Sequence, residues 1–150
     1  MRRAFLSLIL AAAAIAPAGA SDWLVECGTG RANAGTRCVL LLLGTDDRDR
    51  VDTAVALALE SAGGATLVAK AGTEPALPVT WARVEGGQTM RGDDSGLGRL
   101  NILNLAAALA SGKGASVRWE SPKFGAVTST LDPEGFDEAL MEAAERLQPR

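Results

Sequence analysis

The chain has 150 residues, of which 47% are hydrophobic and 22% are charged, with a net charge of −3 and no histidine. This length is enough for one domain with a single core. The lack of histidine excludes Ser-His-Asp and Cys-His nucleophilic sites, histidine-ligated metals, and a general base that ordinarily titrates near neutrality. We therefore expect no enzymatic activity and neither a cofactor nor a metal, with a histidine-free hydrolase as the chemical alternative.

The first twenty residues have the order of a secretory signal peptide. Arg2 and Arg3 precede an apolar stretch from Ala4 to Ala16, and small residues lead up to Ala20. The stretch is too short to span a bilayer stably. We predict cleavage between Ala20 and Ser21, which leaves residues 21–150 as one exported domain, periplasmic or secreted, with no stable membrane insertion. An uncleaved membrane anchor is the alternative.

The charge that remains after cleavage argues against nucleic acid as a partner. Without Arg2 and Arg3 there are thirteen basic and eighteen acidic side chains, a net charge of −5. Such a chain is repelled by phosphate backbones. No basic run interleaves with the five remaining aromatic residues to form a base-stacking groove.

Two cysteines, Cys27 and Cys38, stand close together in the predicted exported chain. In an oxidising compartment such a pair favours a disulfide. Trp23 to Cys27 and the residues from Arg37 onward are predicted strands on either side of a glycine-rich connection. The disulfide would therefore join the two strands of a hairpin.

The next segments predict further strands. The run from Val39 to Leu43 is continuously apolar and ends at a glycine, which is typical of a strand buried on both faces. Residues 51–60 alternate with period two, which favours a half-buried strand, although their alanines also suit a helix. Between these segments four aspartates cluster, and we interpret them as a solvated turn, with a calcium site as the alternative. They are Asp46, Asp47, Asp49 and Asp52.

The middle of the chain continues this pattern. Residues 65–70, 79–84 and 88–91 are predicted strands, and the alternation places Trp81 on the same side as Val79, in the core. Residues 92–98 form a loop.

The last third predicts two helices and a hairpin. Ile102, Leu105, Ala106 and Leu109 have the spacing of one helical face, which ends at a Gly112 cap. Residues 115–120 and 127–131 form the hairpin. A final helix is predicted with Asp132 as its N-cap and Pro133 in its first position. Its predicted inner face comprises Phe136, Leu140, Ala143, Ala144 and Leu147.

These elements predict a mainly β fold. Short strands at regular spacing with two short helices indicate an antiparallel β-sandwich or a partly open barrel. An α+β domain in which residues 51–60 are helical is the alternative.

Together these landmarks resemble one known family. Trp23, Cys27 and Cys38 behind a signal peptide, a late helix ending at Gly112, and the segment from Leu131 to Leu140 resemble the invasion-associated locus B family. The resemblance covers nearly the whole mature chain. It implies an exported, strand-rich bacterial protein of the envelope or exterior, associated in some pathogens with host-cell entry and without catalytic residues. Many members carry a second cysteine pair, which this chain lacks.

We therefore expect a non-catalytic interaction protein with an unidentified protein partner in the envelope or on a host surface. Its candidate contact residues are Trp81, Arg91, Asp93 and Asp94. Arg91-Gly92-Asp93 matches the integrin-binding tripeptide, and Asp93 with Asp94 is a weak cation candidate. The alternative is a periplasmic small-ligand or peptide binder that uses a cleft lined by Trp23, Trp81 and Trp119.

Overall fold

The computed structural model describes residues 23–29 and 35–148, so the predicted signal peptide and its cleavage point between Ala20 and Ser21 lie outside the described residues. The described chain forms two antiparallel sheets and two helices. The first sheet has the order β1-β2-β3-β4-β5, with strands Trp23–Thr29, Thr36–Thr45, Asp52–Glu60, Ala65–Ala71 and Leu77–Pro78. The second has the order β7-β6-β8-β9, with β6 Trp81–Val84, β7 Thr89–Arg91, β8 Ala115–Ser121 and β9 Gly125–Leu131. The prediction of a β-sandwich with two short helices is confirmed.

The helices are α1 (Arg99–Ala110) and α2 (Phe136–Leu147). Helix α2 packs against β1 and β2, helix α1 packs against β4 and β6, and the two helices contact each other. Trp23 and Phe136 meet edge to face with their ring centroids 4.9 Å apart. Trp23 also donates a hydrogen bond from Nε1 to the carbonyl oxygen of Asp132, 2.8 Å away. These contacts fix the last helix against the first strand. No helix in the described part of the chain is long and apolar enough to cross a membrane.

Strand β2 corrects one prediction. Cys38, Leu40 and Leu42 are buried, whereas Leu43 is 62% exposed. The run from Val39 to Leu43 is therefore not buried on both faces. Its inner face packs against α2, whereas its outer face is half-buried at Val39 and Leu41 and exposed at Leu43. A continuous apolar run shows that both faces are apolar, and it does not show what covers them.

Strand β3 pairs with both β2 and β4, so residues 52–60 are extended and the helical alternative is wrong. In α1 the four predicted inner residues are the buried ones. Gly112, with φ of 92°, ends this helix: its N–H bonds to Leu109, and the N–H of Lys113 bonds to Ala108. This is a Schellman cap, which glycine favours because it adopts positive φ without strain.

The start of α2 differs from the prediction. Gly135, with φ of 82°, is the N-cap, and the helix begins at Phe136. Asp132 Oδ1 instead accepts a hydrogen bond from the N–H of Glu134, which forms a turn before the helix. The inner face also shifts, because Ala139 is buried and Ala144 is exposed. The capping residues were therefore predicted three positions too early.

The predicted disulfide is present. Cys27 and Cys38 are directly opposite in the β1–β2 pairing, and their sulfur atoms are 2.00 Å apart. Cys38 Sγ lies 3.8 Å from the carbonyl oxygen of Ala143, so α2 packs over the bond. The disulfide thus joins the edge strand β1 to the strand that carries the last helix.

A buried carboxylate joins the two sheets at one corner. Asp46 is 2% exposed and accepts hydrogen bonds from the Arg50 backbone N–H at 2.6 Å, from Arg50 Nε at 2.8 Å and from the Val51 N–H at 3.3 Å. The Arg50 guanidinium also donates to the carbonyl oxygens of Phe124 and Ala126, next to and in β9. Asp46 is therefore a structural residue, and its interpretation as part of a solvated turn is wrong.

Further bonds link the sheets at this corner and at a second one. The N–H of Asp47 donates to the carbonyl oxygen of Thr128, and the buried hydroxyls of Thr53 and Ser129 lie 3.2 Å apart. At the second corner the chain passes directly from β5 to β6, and the Thr80 N–H donates to the carbonyl oxygen of Arg118. The sandwich is thus held by hydrogen bonds as well as by its core.

The environment of Asp46 also sets its protonation. Burial acts to raise its pKa, but the hydrogen bonds from Arg50 and Val51 and the Arg50 charge together outweigh burial and hold the pKa below the ordinary value of 3.8.

We expect that replacing Cys27 and Cys38 together by serine lowers the free energy of unfolding by about 2–3 kcal/mol, because the unfolded chain regains the entropy of a short closed loop. Urea unfolding of residues 21–150 measures this loss. Reducing agent should destabilise the wild type by a similar amount and leave the double variant unaffected. Equal stability of the oxidised wild type and the variant would contradict the prediction.

We expect Asp46→Asn to lower the free energy of unfolding at neutral pH, because the amide brings an N–H among groups that are already donors. The depressed pKa of Asp46 means that its carboxylate stabilises the fold above the ordinary value of 3.8, and that this contribution is lost as pH falls through the folded pKa. The difference in the free energy of unfolding between wild type and variant, measured by urea unfolding, should therefore become smaller in acid. A difference that stays constant from about pH 6 to about pH 3 is the contrary result. Asp47→Asn, at an exposed neighbour, is the matched control.

Candidate binding surface

The outer face of the second sheet gathers three arginines around one tryptophan. In the strand register Trp81 on β6 lies opposite Arg91 on β7 and opposite Arg118 on β8. Arg83, two residues along β6, has the same orientation because side chains alternate along a strand. We call the surface formed by Trp81, Arg83, Arg91 and Arg118 the arginine face.

Stacking and hydrogen bonding orient the centre of this surface. The guanidinium carbon of Arg118 lies 4.2 Å from the centroid of the Trp81 ring, a cation–π contact. Arg118 Nε also donates to the hydroxyl of Thr128 at 3.4 Å. Both Trp81 and Arg118 are half-buried. Their side chains are therefore held in place while part of each remains open to a partner.

The positive charge of the arginine face is locally unpaired. The ion pairs between described residues are Arg50–Asp46 and Arg146–Glu142, so none of the three arginines on this face lies within 4.0 Å of a described carboxylate. Two acidic residues lie at the ends of this side of the sheet: Glu120, two residues beyond Arg118 on β8, and Glu85, directly after β6, which lines a groove together with Arg83. The remaining outward side chains are Ala126 and the hydroxyl residues Thr89, Ser116, Thr128 and Thr130. This composition suits a partner that presents carboxylates, which a guanidinium can bind through two parallel hydrogen bonds.

The grooves on this side are shallow and lie at the ends of the strands. One of about 230 Å³ is lined partly by Arg83, Ser116 and Thr130. Another, of about 290 Å³, lies near Asp93, Asp94 and Glu120. The central area is a flat sheet surface, which suits contact with another surface better than enclosure of a small molecule.

The structure brings together two of the four predicted contact residues. Trp81 and Arg91 are cross-strand neighbours, whereas Asp93 and Asp94 lie in the following loop. Asp93 Oδ1 accepts hydrogen bonds from the hydroxyl and the N–H of Ser95, and these bonds lower the pKa of Asp93 below its ordinary value. This aspartate thus shapes a turn.

The Arg91-Gly92-Asp93 tripeptide begins this turn. Arg91 ends β7, and a Cβ at residue 92 would collide with the carbonyl of Gly96. Glycine is therefore required at this position by the close approach of two backbone segments. This packing accounts for Gly92 without a ligand.

The tryptophans do not share a cleft. Trp23 and Trp119 are 5% and 0% exposed, so neither lines an open groove. Trp81 was predicted to share the core side of Val79, but it faces outward, whereas Val79 and Ala82 are both buried. The alternation shifts by one residue because the chain turns from the first sheet into the second between Pro78 and Trp81.

Sequence reasoning missed Arg83 and Arg118. A signal was available, since Arg83 alternates with the apolar Ala82 and Val84, and Arg118 stands between Val117 and Trp119. What the sequence could not supply was the β6–β8 pairing that places both beside Trp81.

No group of three or more acidic or cysteine side chains in the described chain is arranged to hold a metal ion. The chain matches no protein-family model, and comparison with curated proteins and with solved structures reveals no detectable relative.

Proposed function

We propose that this chain is an exported interaction protein without enzymatic activity, which acts by contact in the bacterial envelope or outside the cell. The observation that carries the proposal is the arginine face, on which three arginines that lack a carboxylate partner among the described residues surround a half-buried tryptophan. We propose that its partner is a protein whose surface presents aspartate or glutamate side chains.

The composition of the arginine face supports a contact role. Tryptophan and arginine are the residues most enriched among those that dominate binding energy in protein interfaces. The Trp81–Arg118 stack holds both side chains before binding, which reduces the entropy lost on association. The surrounding hydroxyl groups can complete a polar rim.

The contrast between the net charge of the chain and the local charge of the arginine face supports an acidic partner. The predicted mature chain carries a net charge of −5, so it does not attract anions in general. A local positive surface on an acidic protein attracts a partner only when that surface is presented to it, which favours orientation and specificity over raw affinity.

The proposed location outside the cytoplasm rests on the N-terminal sequence and on the disulfide. Residues 1–20 have the order of a signal peptide, and the Cys27–Cys38 disulfide is characteristic of oxidising compartments. The resemblance to the invasion-associated locus B family agrees with such a location and extends the proposal to contact with the envelope or with host cells.

The test uses oxidised residues 21–150 and immobilised poly-glutamate as a defined acidic probe. We expect binding that weakens with added salt and falls by about tenfold or more in the Arg83→Glu/Arg91→Glu variant, because each reversal replaces an attraction with a repulsion. Arg48→Glu is the control for a charge reversal away from the arginine face, since Arg48 is an exposed arginine in the turn after β2. It should bind nearly as well as the wild type.

Capture from envelope extract and from host-cell membranes then tests the partner. A specific protein retained by the wild type and by Arg48→Glu, but lost from the double variant, would support the proposal. Arg48→Glu changes the net charge by two units and the double variant by four, so a fall in affinity about half as large on a logarithmic scale in Arg48→Glu would mean that binding reports net charge alone. That result, or no binding to either poly-glutamate or the extracts, would overturn the assignment of the arginine face.

A further inference from the structure

The outer face of the first sheet carries a contiguous apolar area that reaches four strands and is bordered by Glu26, Thr66 and Lys70. It is the side opposite the helices, and the strand register identifies its members. We call this surface the apolar face, formed by Leu24, Val39, Leu41, Leu43, Ala54, Ala56, Ala58 and Val68. Leu24 and Leu43 are 53% and 62% exposed, Ala58 is buried, and the other members are half-buried. Contiguous exposed apolar surface of this kind marks an interaction site.

The apolar face is not flat. The outward side chains of β2 are large and those of β3 are small, so a ridge runs beside a trough along two neighbouring strands. In register the pairs are Val39 with Ala58, Leu41 with Ala56, and Leu43 with Ala54. At one end the trough opens into a groove of about 560 Å³, which is lined partly by Leu43, Ala54 and Lys70. A ridge directly beside a trough of the same length is complementary to itself.

Opposite charges stand at the other end of the same two strands. Arg37 on β2 is paired in register with Glu60 on β3, and both side chains are exposed and face the same side as the ridge and the trough. The ion pairs between described residues do not include these two. The positive charge therefore lies on the strand with the large side chains, and the negative charge lies on the strand with the small ones.

We infer that the apolar face binds a second copy of this chain. A two-fold axis parallel to the strands and between β2 and β3 turns the ridge of each copy onto the trough of the other. Such an interface is isologous, with each contact occurring twice. The same rotation places Arg37 of one copy opposite Glu60 of the other, in both directions. An axis perpendicular to the strands would instead bring Asp52 of one copy towards Glu60 of the other, both acidic.

The dimensions agree with a dimer. Strands β2 and β3 each present five outward positions and β1 and β4 each present three, so at about 4.8 Å by about 6.7 Å for each position they cover about 500 Å². A standard stable interface takes about 800 Å² from each partner, and side-chain relief adds to the flat footprint. Two sheets stacked in this way lie about 10 Å apart, as in the core of a sandwich.

This inference is independent of the proposed function. The arginine face belongs to the outer side of the second sheet, so it remains open when two copies join through the first sheet. A dimer would carry two arginine faces on its two outer sides.

Sedimentation velocity of oxidised residues 21–150 tests the inference. We expect a dimer whose dissociation constant rises by about tenfold or more in Arg37→Glu and in Glu60→Arg, since each variant places like charges opposite each other twice. An equimolar mixture of the two variants should recover dimerisation, because in the mixed dimer both facing pairs have opposite charge. Within each variant chain the neighbouring charges stay alike, so recovery cannot come from a contact inside one chain.

Two further variants keep the result interpretable. Leu41→Asp should abolish the dimer, and Leu100→Asp, at a leucine of α1 that is 70% exposed, should leave it unchanged. Circular dichroism checks that each variant is folded. A wild type that stays monomeric up to about 100 µM, or a variant mixture that stays as weak as its components, would overturn the inference.

Discussion

The buried carboxylate of Asp46 is the interaction on which the arrangement of the two sheets depends. It sits where β2 leaves the first sheet, and through Arg50 it connects that strand to the carbonyl oxygens at the start of β9. A buried anion is tolerated only when it is paired and hydrogen-bonded, and here one arginine supplies its main chain and its side chain to the same carboxylate. This corner holds the two sheets face to face, and in a sandwich of this kind the outer faces point in opposite directions.

Much of the architecture could be predicted from local patterns. The strands from β1 to β4, the hairpin of β8 and β9, the face of α1 and the disulfide all follow from alternation, helical spacing and the positions of glycine and cysteine. The errors have a common cause, which is that local patterns do not report what lies across the fold. Trp81 was assigned to the wrong side because the corner between the sheets shifts the alternation. Asp46 was assigned to solvent because the segment that its partner Arg50 contacts lies more than seventy residues away: the carbonyl oxygens of Phe124 and Ala126 accept hydrogen bonds from the Arg50 guanidinium.

The candidate surfaces illustrate the same limit. Trp81 and Arg91 could be singled out from the sequence, but Arg118 joins them through strand pairing between distant segments. For the apolar face, the run from Val39 to Leu43 correctly indicated that both sides of β2 are apolar. The sequence could not reveal that, among the described residues, the helices pack on one side of this strand and leave Leu43 on the other side exposed. The molecule therefore has two chemically distinct outer faces, one charged and aromatic and the other largely apolar.

The position of the disulfide has a consequence for the chain before it folds. Strand β1 is the edge of its sheet and carries half of the bond, so the crosslink keeps β1 paired over one side of β2. In the reduced chain that restraint is absent, and the uncharged, strongly β-forming run from Val39 to Leu43 is open to pairing with the same run of another chain. We therefore expect oxidation at Cys27 and Cys38 to protect the newly made chain against aggregation until the rest of the fold forms around this strand.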